Sequence, residues 1–135
     1  MSQDQRYERG LAKVEAVLGK AAAEQLVESH KHSAPVLSRH VIEYMWGDLC
    51  YRNALDLKTR ELVTVAALTA IGDCAPQLKN HIHGALTVGA SPEELSEVIT
   101  HVSAIAGIPR GLNASMVLKA VFDERGIKSD TTSEK

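Results

Sequence analysis

Glycines at the ends of helix-length apolar patterns constrain the fold of this chain more than any other feature. Before such a glycine, apolar side chains recur every three or four residues, as Leu11, Val14 and Leu18 do before Gly19, which is typical of amphipathic helices. Helices joined by short glycine turns pack as antiparallel neighbours. The pattern predicts an all-α, single-domain helical bundle of six to seven helices, with no convincing strand pair. The glycines in question are Gly19, Gly72, Gly89, Gly107 and Gly126.

Start and stop signals place the individual helices. We predict helices over residues 3–18, 20–30, 35–46, 57–71, 74–88, 92–106 and 112–124. The predicted N-caps are Ser33, Asp56 and Asp73, and Ser91-Pro92-Glu93-Glu94 has the form of a capping box. The run LVTVAALTAI within 57–71 favours a buried helix, although its valines and threonines leave a strand open. The last helix is expected to bury Leu112, Met116, Val117 and Val121.

Length and charge exclude several classes of protein. The 135 residues suit one domain, which we place at 1–126, followed by a polar tail at 127–135 that we expect to be disordered. The net charge of −2, with basic and acidic residues mixed, argues against a nucleic-acid partner. No secretory signal or membrane-length apolar run is visible, so we expect a cytoplasmic protein without a membrane partner. Two widely separated cysteines make a structural disulfide improbable.

The segment DCAPQLKNHIHGAL carries the first group of chemically capable residues. Cys74, Gln77 and His81 are spaced i, i+3 and i+7, so they share one helix face. A thiol at a helix start is biased towards thiolate, yet a small buried apolar side chain is an equally simple interpretation of Cys74. Cys74, His81, His83 and His40 fit no metal-ligand spacing, and we predict neither a metal nor a cofactor. No GxSxG elbow or phosphate-binding loop is present.

Arg60 and Glu61 form the second group, at the start of an otherwise apolar helix. The Glu61 carboxylate either faces solvent, where the helix dipole stabilises it, or points inward and requires a partner. Arg60 is able to bind a substrate carboxylate or to pair with Asp56 one turn earlier. The sequence leaves both alternatives open.

Most of the chain resembles the carboxymuconolactone decarboxylase family of the alkylhydroperoxidase D-like superfamily. The resemblance is carried by LDLKTRELVTVAALTAIGDCAPQLKNHIHGALTVGASPEELSEVITHVSAIAGIP, with QRYERGLAKVEAVLG, VIEYMWGDLCYRNALD and LNASMVLKAVF, and covers about residues 5 to 122. It implies an all-α homo-oligomer, a trimer or hexamer, with a site at a helical hairpin and a subunit contact. By the same resemblance, the implied catalytic residues are Arg60, Glu61, Cys74 and His81, and the implied substrate-binding residues are His40, Tyr44, Trp46 and Gln77.

Two branches of the family imply different chemistry. In the peroxidase-type branch, a CxxC pair works with a glutamate and a histidine; here Glu61, Cys74 and His81 match, but Gln77 occupies the place of the second cysteine. In the decarboxylase branch, a small-molecule substrate such as 4-carboxymuconolactone loses CO2 without a cofactor. Our leading hypothesis is such a decarboxylase, since the start and middle of the chain resemble that branch. A thiol peroxidase using Cys74 is the first alternative, and a non-catalytic oligomeric ligand-binding protein is the second.

Overall fold

The computed structural model describes residues 1–128, and in this part of the chain it is all-α, as predicted. A π-helical segment, Val41–Trp46, and a 3-10 turn, Leu49–Tyr51, lie between the third and fourth helices. Two compact units are distinguished, residues 1–60 and the residues from Glu61 onward. The seven α-helices are α1 (Gln3–Leu18), α2 (Lys20–Glu28), α3 (Pro35–His40), α4 (Leu57–Ile71), α5 (Ala75–Thr87), α6 (Pro92–Ala106) and α7 (Ile108–Arg125).

Some of the predicted helix starts are confirmed and others are wrong. Asp56 caps α4, since its Oδ1 accepts a hydrogen bond from the Thr59 N–H at 2.7 Å. The capping box at the start of α6 also forms. The predicted cap Ser33 is displaced by Ala34, because Pro35 takes the first helical position. Asp73 does not cap α5 either: its φ of +53° turns the chain sharply, so Cys74 becomes the N-cap.

Two helices differ most in extent from the prediction. The predicted third helix changes its hydrogen-bond spacing after His40 and continues as the π-helical segment. The last helix begins at Ile108 rather than at residue 112, because Pro109 is tolerated in a first turn, where its missing N–H has no partner to lose. Both differences arise from local backbone geometry that apolar periodicity does not report.

In the first unit, α1 packs closely against the π-helical segment. A Cβ atom on Gly10 would collide with the Ile42 carbonyl oxygen, so only glycine allows this approach. Trp46 and Ile42 are buried in the same unit. The Arg6 guanidinium donates to Asp48 (Nε to Oδ1, 3.2 Å), which ties α1 to the residues that follow the π-helical segment.

In the second unit, α5, α6 and α7 enclose the apolar core. Its fully buried members include Val65, Ile82, Leu95 and Val121, so each of α4, α5, α6 and α7 contributes. Burial of one such side chain typically stabilises the fold by about 1.5–3 kcal/mol. Ile127 packs on the rim of this core, just past the predicted end of the domain. The polar tail was predicted at 127–135, and its part from residue 129 onward lies outside the described residues.

Several apolar side chains that we expected to be buried are exposed in the chain. On α7, Val121 is buried as predicted, but Leu112 and Met116 are exposed. The expectation of a buried α4 is likewise wrong for Val63 and Ile71, which face solvent. Apolar periodicity identifies a helix correctly but does not say which of its faces meets the core of the same chain. Within residues 1–128, no helix has the length and apolar character that crossing a membrane requires.

Candidate functional site

Glu61 is buried in the second unit with 1% of its surface exposed. It shares the inward stripe of α4 with Val65 and Thr69, each four residues further on, and this spacing carries its carboxylate towards the core. A buried carboxylate is strongly destabilising unless a donor satisfies it. Of the two alternatives for Glu61, the structure therefore shows the inward one, and a partner is required.

His81 of α5 is that partner. Its Nδ1 lies 2.8 Å from Glu61 Oε2. The His81 side chain is 16% exposed, so the pair extends from a buried carboxylate to a partly exposed imidazole. When Glu61 is ionised it can only accept, and Nδ1 then carries the proton. This hydrogen bond orients the imidazole ring. The two residues are twenty positions apart, and the α4–α5 hairpin brings them together.

A second histidine on α5 forms a similar contact at the surface. His83 Nε2 lies 2.9 Å from Glu124 Oε2, and Arg125 Nε donates to His83 Nδ1 at 3.0 Å. Lys79, and then His83, hold the pKa of Glu124 below its usual range by hydrogen bonding. This exposed cluster has the same residue types as the Glu61–His81 pair, but its carboxylate is solvated. Burial of the carboxylate therefore distinguishes the Glu61–His81 pair.

Cys74 lines a cleft of about 290 Å³ at the turn between α4 and α5. Its Sγ donates to the Leu68 carbonyl oxygen at 3.3 Å. Neither Glu61 nor His81 lines this cleft. Cys74, Gln77 and His81 were predicted to share one helix face, but the structure does not place all three around one cavity. Cys74 precedes the helix, and Gln77 is exposed outside the cleft.

The remaining predicted site residues belong to the first unit. Arg60 donates to two backbone carbonyls, those of Leu55 (3.2 Å) and Arg52 (3.1 Å). The alternative partner for Arg60, Asp56, instead accepts the Thr59 N–H. The rings of His40 and Tyr44 stack with centroids 5.7 Å apart on the surface, and Trp46 is buried. The substrate-binding roles of His40, Tyr44, Trp46 and Gln77 stay predictions.

Sequence reasoning did not single out two further charged residues. Arg110, in the first turn of α7, lines the Cys74 cleft and donates to the Ile71 carbonyl oxygen. Glu43 is buried in the π-helical segment, and Arg39 Nε donates to its Oε1 at 2.7 Å. The four-residue spacing of Arg39 and Glu43 could have predicted their contact, whereas no sequence feature near Arg110 indicated the cleft. Over residues 1–128, no three His, Cys, Asp or Glu side chains form a group that could hold a metal ion.

Comparison with known proteins adds a family and several relatives. The model of the carboxymuconolactone decarboxylase family matches residues 35–120. A 4-carboxymuconolactone decarboxylase from Acinetobacter baylyi is 30% identical over 134 residues, covering 99% of each chain. A nitrosuccinic acid decarboxylase from Metarhizium robertsii is 25% identical over 119 residues, 87% of this chain and 82% of the relative. An uncharacterised 15.0 kDa protein from Paracoccus denitrificans is 34% identical over 91 residues, 67% and 68% of the two chains.

Proposed function

Because the chain belongs to the carboxymuconolactone decarboxylase family, we propose that it is a cofactor-free decarboxylase of a lactone acid such as 4-carboxymuconolactone. Two relatives named as decarboxylases support a carboxy-lyase activity. The similarity to the Acinetobacter protein, which extends over 99% of both chains, supports the choice of substrate.

The observation that carries this proposal is the hydrogen bond of 2.8 Å between buried Glu61 and partly exposed His81. A buried carboxylate that orients an imidazole is a recurrent arrangement for a general acid or base. The pair therefore supplies a proton donor whose orientation is set by the fold.

The proposed reaction requires little more than charge stabilisation and one proton. The bond between the substrate carbon and its carboxylate breaks, CO2 leaves, and the electron pair moves through the C=C bond onto the lactone carbonyl oxygen. In our proposal, protonated His81 donates to this developing enolate or to the carbon that regains a proton, and Glu61 stabilises the imidazolium. Arg60 is proposed to hold a substrate carboxylate.

Release of CO2 from 4-carboxymuconolactone by the purified protein tests the proposal. Glu61→Gln keeps a hydrogen-bond acceptor but removes the charge, and His81→Gln removes the proton donor. We expect each to lower kcat by about 100-fold or more, the usual contribution of a positioned acid or base. His83→Gln is the matched control, because it alters a histidine of the same helix whose contacts lie at the surface.

Two outcomes would contradict this proposal. A rate for the wild-type protein equal to that in buffer would remove 4-carboxymuconolactone as the substrate. Equal losses in His81→Gln and His83→Gln would remove the specific role of the Glu61–His81 pair. Melting temperatures of all variants should be measured alongside, so that loss of fold is separated from loss of chemistry.

The thiol-peroxidase alternative depends on Cys74, which lines a cleft and is partly exposed. Under that alternative, Cys74→Ser abolishes peroxide consumption supported by a dithiol, and unchanged consumption ends the thiol mechanism. The geometry gives this alternative less support, since Gln77 replaces a second cysteine and the Glu61–His81 pair does not line the cleft. For a non-catalytic ligand-binding protein, the expected outcome is no turnover in either assay and a saturable rise in melting temperature with ligand.

We also propose that the protein is a cytoplasmic homo-oligomer, a trimer or hexamer. Ile108, Leu112 and Met116 support self-association, because they recur every four residues along α7 and are exposed in the single chain. Both cysteines are free, which suits a reducing compartment.

A further inference from the structure

We propose that the Cys74 cleft is a second small-molecule site, which binds a monocarboxylate with an apolar body. The cleft lies in the second unit, where the α4–α5 turn meets α7. Its volume of about 290 Å³ is enough for a ring-sized ligand, and apolar side chains from α4, α5 and α7 line it, among them Leu68, Leu78 and Val117. Apolar walls with a few polar groups are typical of pockets for small ligands.

Arg110 supplies the charge that such a ligand requires. One Nη1–H group donates to the Ile71 carbonyl oxygen, and this contact holds the guanidinium beside Gly72. A Cβ atom on Gly72 would collide with the guanidinium, so this glycine leaves room for it. Within residues 1–128, Arg110 forms no ion pair. Its planar group retains further N–H donors in the geometry that suits a carboxylate.

The other polar residues of the cleft define which anion is preferred. Asn113, one turn after Arg110 on α7, offers an amide that donates to or accepts from the ligand. Asp73 also lines the cleft, and its carboxylate repels a second negative charge. One cation and one anion at the same cleft therefore favour a monocarboxylate over a dicarboxylate of similar size.

This site is separate from the Glu61–His81 pair, and the inference does not rest on the proposed decarboxylase activity. Glu61 and His81 are both absent from the lining of the cleft. Cys74, in contrast, lines it and is partly exposed, whereas Cys50 is buried. The reactivity of the Cys74 thiol therefore reports whether the cleft is occupied, because a bound ligand shields the thiol from reagents.

The test is the rate of alkylation of Cys74 by N-ethylmaleimide, followed by mass spectrometry of the Cys74 peptide, with benzoate as the probe. We expect saturable protection, with alkylation slowed roughly tenfold at a benzoate concentration about ten times its Kd, since only the unoccupied cleft exposes the thiol. Neutral benzamide at equal concentration should protect little, and phthalate, with two carboxylates, should protect less than benzoate. Protection by benzoate should persist in Glu61→Gln, which distinguishes this site from the proposed catalytic pair.

Variants of α7 identify the residue that binds the carboxylate. Arg110→Gln keeps a donor for the Ile71 carbonyl oxygen but removes the charge, and should abolish protection. Arg125→Gln is the matched control, because this arginine binds His83 and Thr87 near the other end of α7. If Arg110→Gln does not fold, Asn113→Asp adds a repelling charge at the same cleft and should weaken protection instead. No saturable protection in the wild type, or equal protection by benzamide, would overturn the proposal.

Discussion

At the scale of single residues, Asp73 shows how backbone geometry shapes the α4–α5 turn. Among residues 1–128 it is the sole non-glycine residue with a positive φ, and it directly follows Gly72, whose φ is +71°. The two residues reverse the chain so tightly that Cys74, rather than Asp73, caps α5. Aspartate tolerates this region better than most residues, because its short polar side chain can bond locally. The turn thereby sets where the Cys74 thiol lies.

Asp73→Val should lower the free energy of unfolding by about 1–2 kcal/mol, because a β-branched side chain is strained at positive φ. Asp73→Gly tests the cause, since glycine adopts this conformation freely and should leave stability near that of the wild type. Urea denaturation of the three proteins is the measurement. Similar losses in both variants would show that the Asp73 side chain, and not its backbone conformation, matters for stability.

At the scale of elements, hydrogen bonds of polar and charged side chains determine where a helix begins and how it is held to a neighbouring segment. The Ser91 hydroxyl accepts the Glu94 N–H at 3.0 Å, and the Glu94 carboxylate accepts the Ser91 N–H at 2.9 Å. These reciprocal bonds satisfy two donors at the start of α6 that would otherwise have no helical partner. The apolar stripe that follows can then align with the core.

Ser91→Ala should destabilise the second unit by about 1 kcal/mol, the usual cost of losing a helix N-cap. The comparison is Ser96→Ala, an exposed position inside the same helix, where alanine is at least as good a helix former. Thermal unfolding followed by circular dichroism measures both. An equal melting temperature for Ser91→Ala and the wild type would mean that water replaces the cap without cost.

The Arg6–Asp48 contact of the first unit makes stability depend on pH. Arg6, by hydrogen bonding, holds the pKa of Asp48 below its usual range. A lowered folded-state pKa means that the contribution is present above the unfolded-state pKa of about 4 and is lost as pH falls through the folded value. Asp48→Asn should therefore be less stable than the wild type at pH 6, with the difference shrinking in acid. In an Arg6→Gln background the same substitution should have a smaller effect, although not none, because Arg9 Nη2 still lies 3.4 Å from Asp48 Oδ1; urea midpoints across pH check both expectations.

At the scale of the whole molecule, exposed apolar residues indicate a surface that the single chain leaves uncovered. Ile108, Leu112 and Met116 form a row on α7, and Ile105 precedes them on α6. Contiguous exposed apolar side chains are uncommon on monomeric proteins and mark contact surfaces. This row is the structural support for the proposed homo-oligomer.

Leu112→Glu should reduce the molar mass measured by light scattering after size exclusion, because a charge in an apolar contact is costly to bury. Lys119→Glu, an exposed change further along α7, is the control that should keep the mass of the wild type. A monomeric wild type would contradict the proposed homo-oligomer. An unchanged mass for Leu112→Glu would mean that the subunit contact lies elsewhere.

Helix-forming segments were predictable from the sequence alone. Apolar spacing, glycine stops and the capping box act over a few neighbouring residues, so α1, α4 and α6 were placed correctly. Glu61 and His81 were candidates through their places in the helices and the family resemblance, and their catalytic roles stay predictions. The inward direction of Glu61, its bond to His81 and the position of Arg110 in the Cys74 cleft were decided only by tertiary structure. These contacts join residues twenty or more positions apart. They exist because packed helices bring such residues within a few ångströms, a distance that local periodicity does not encode.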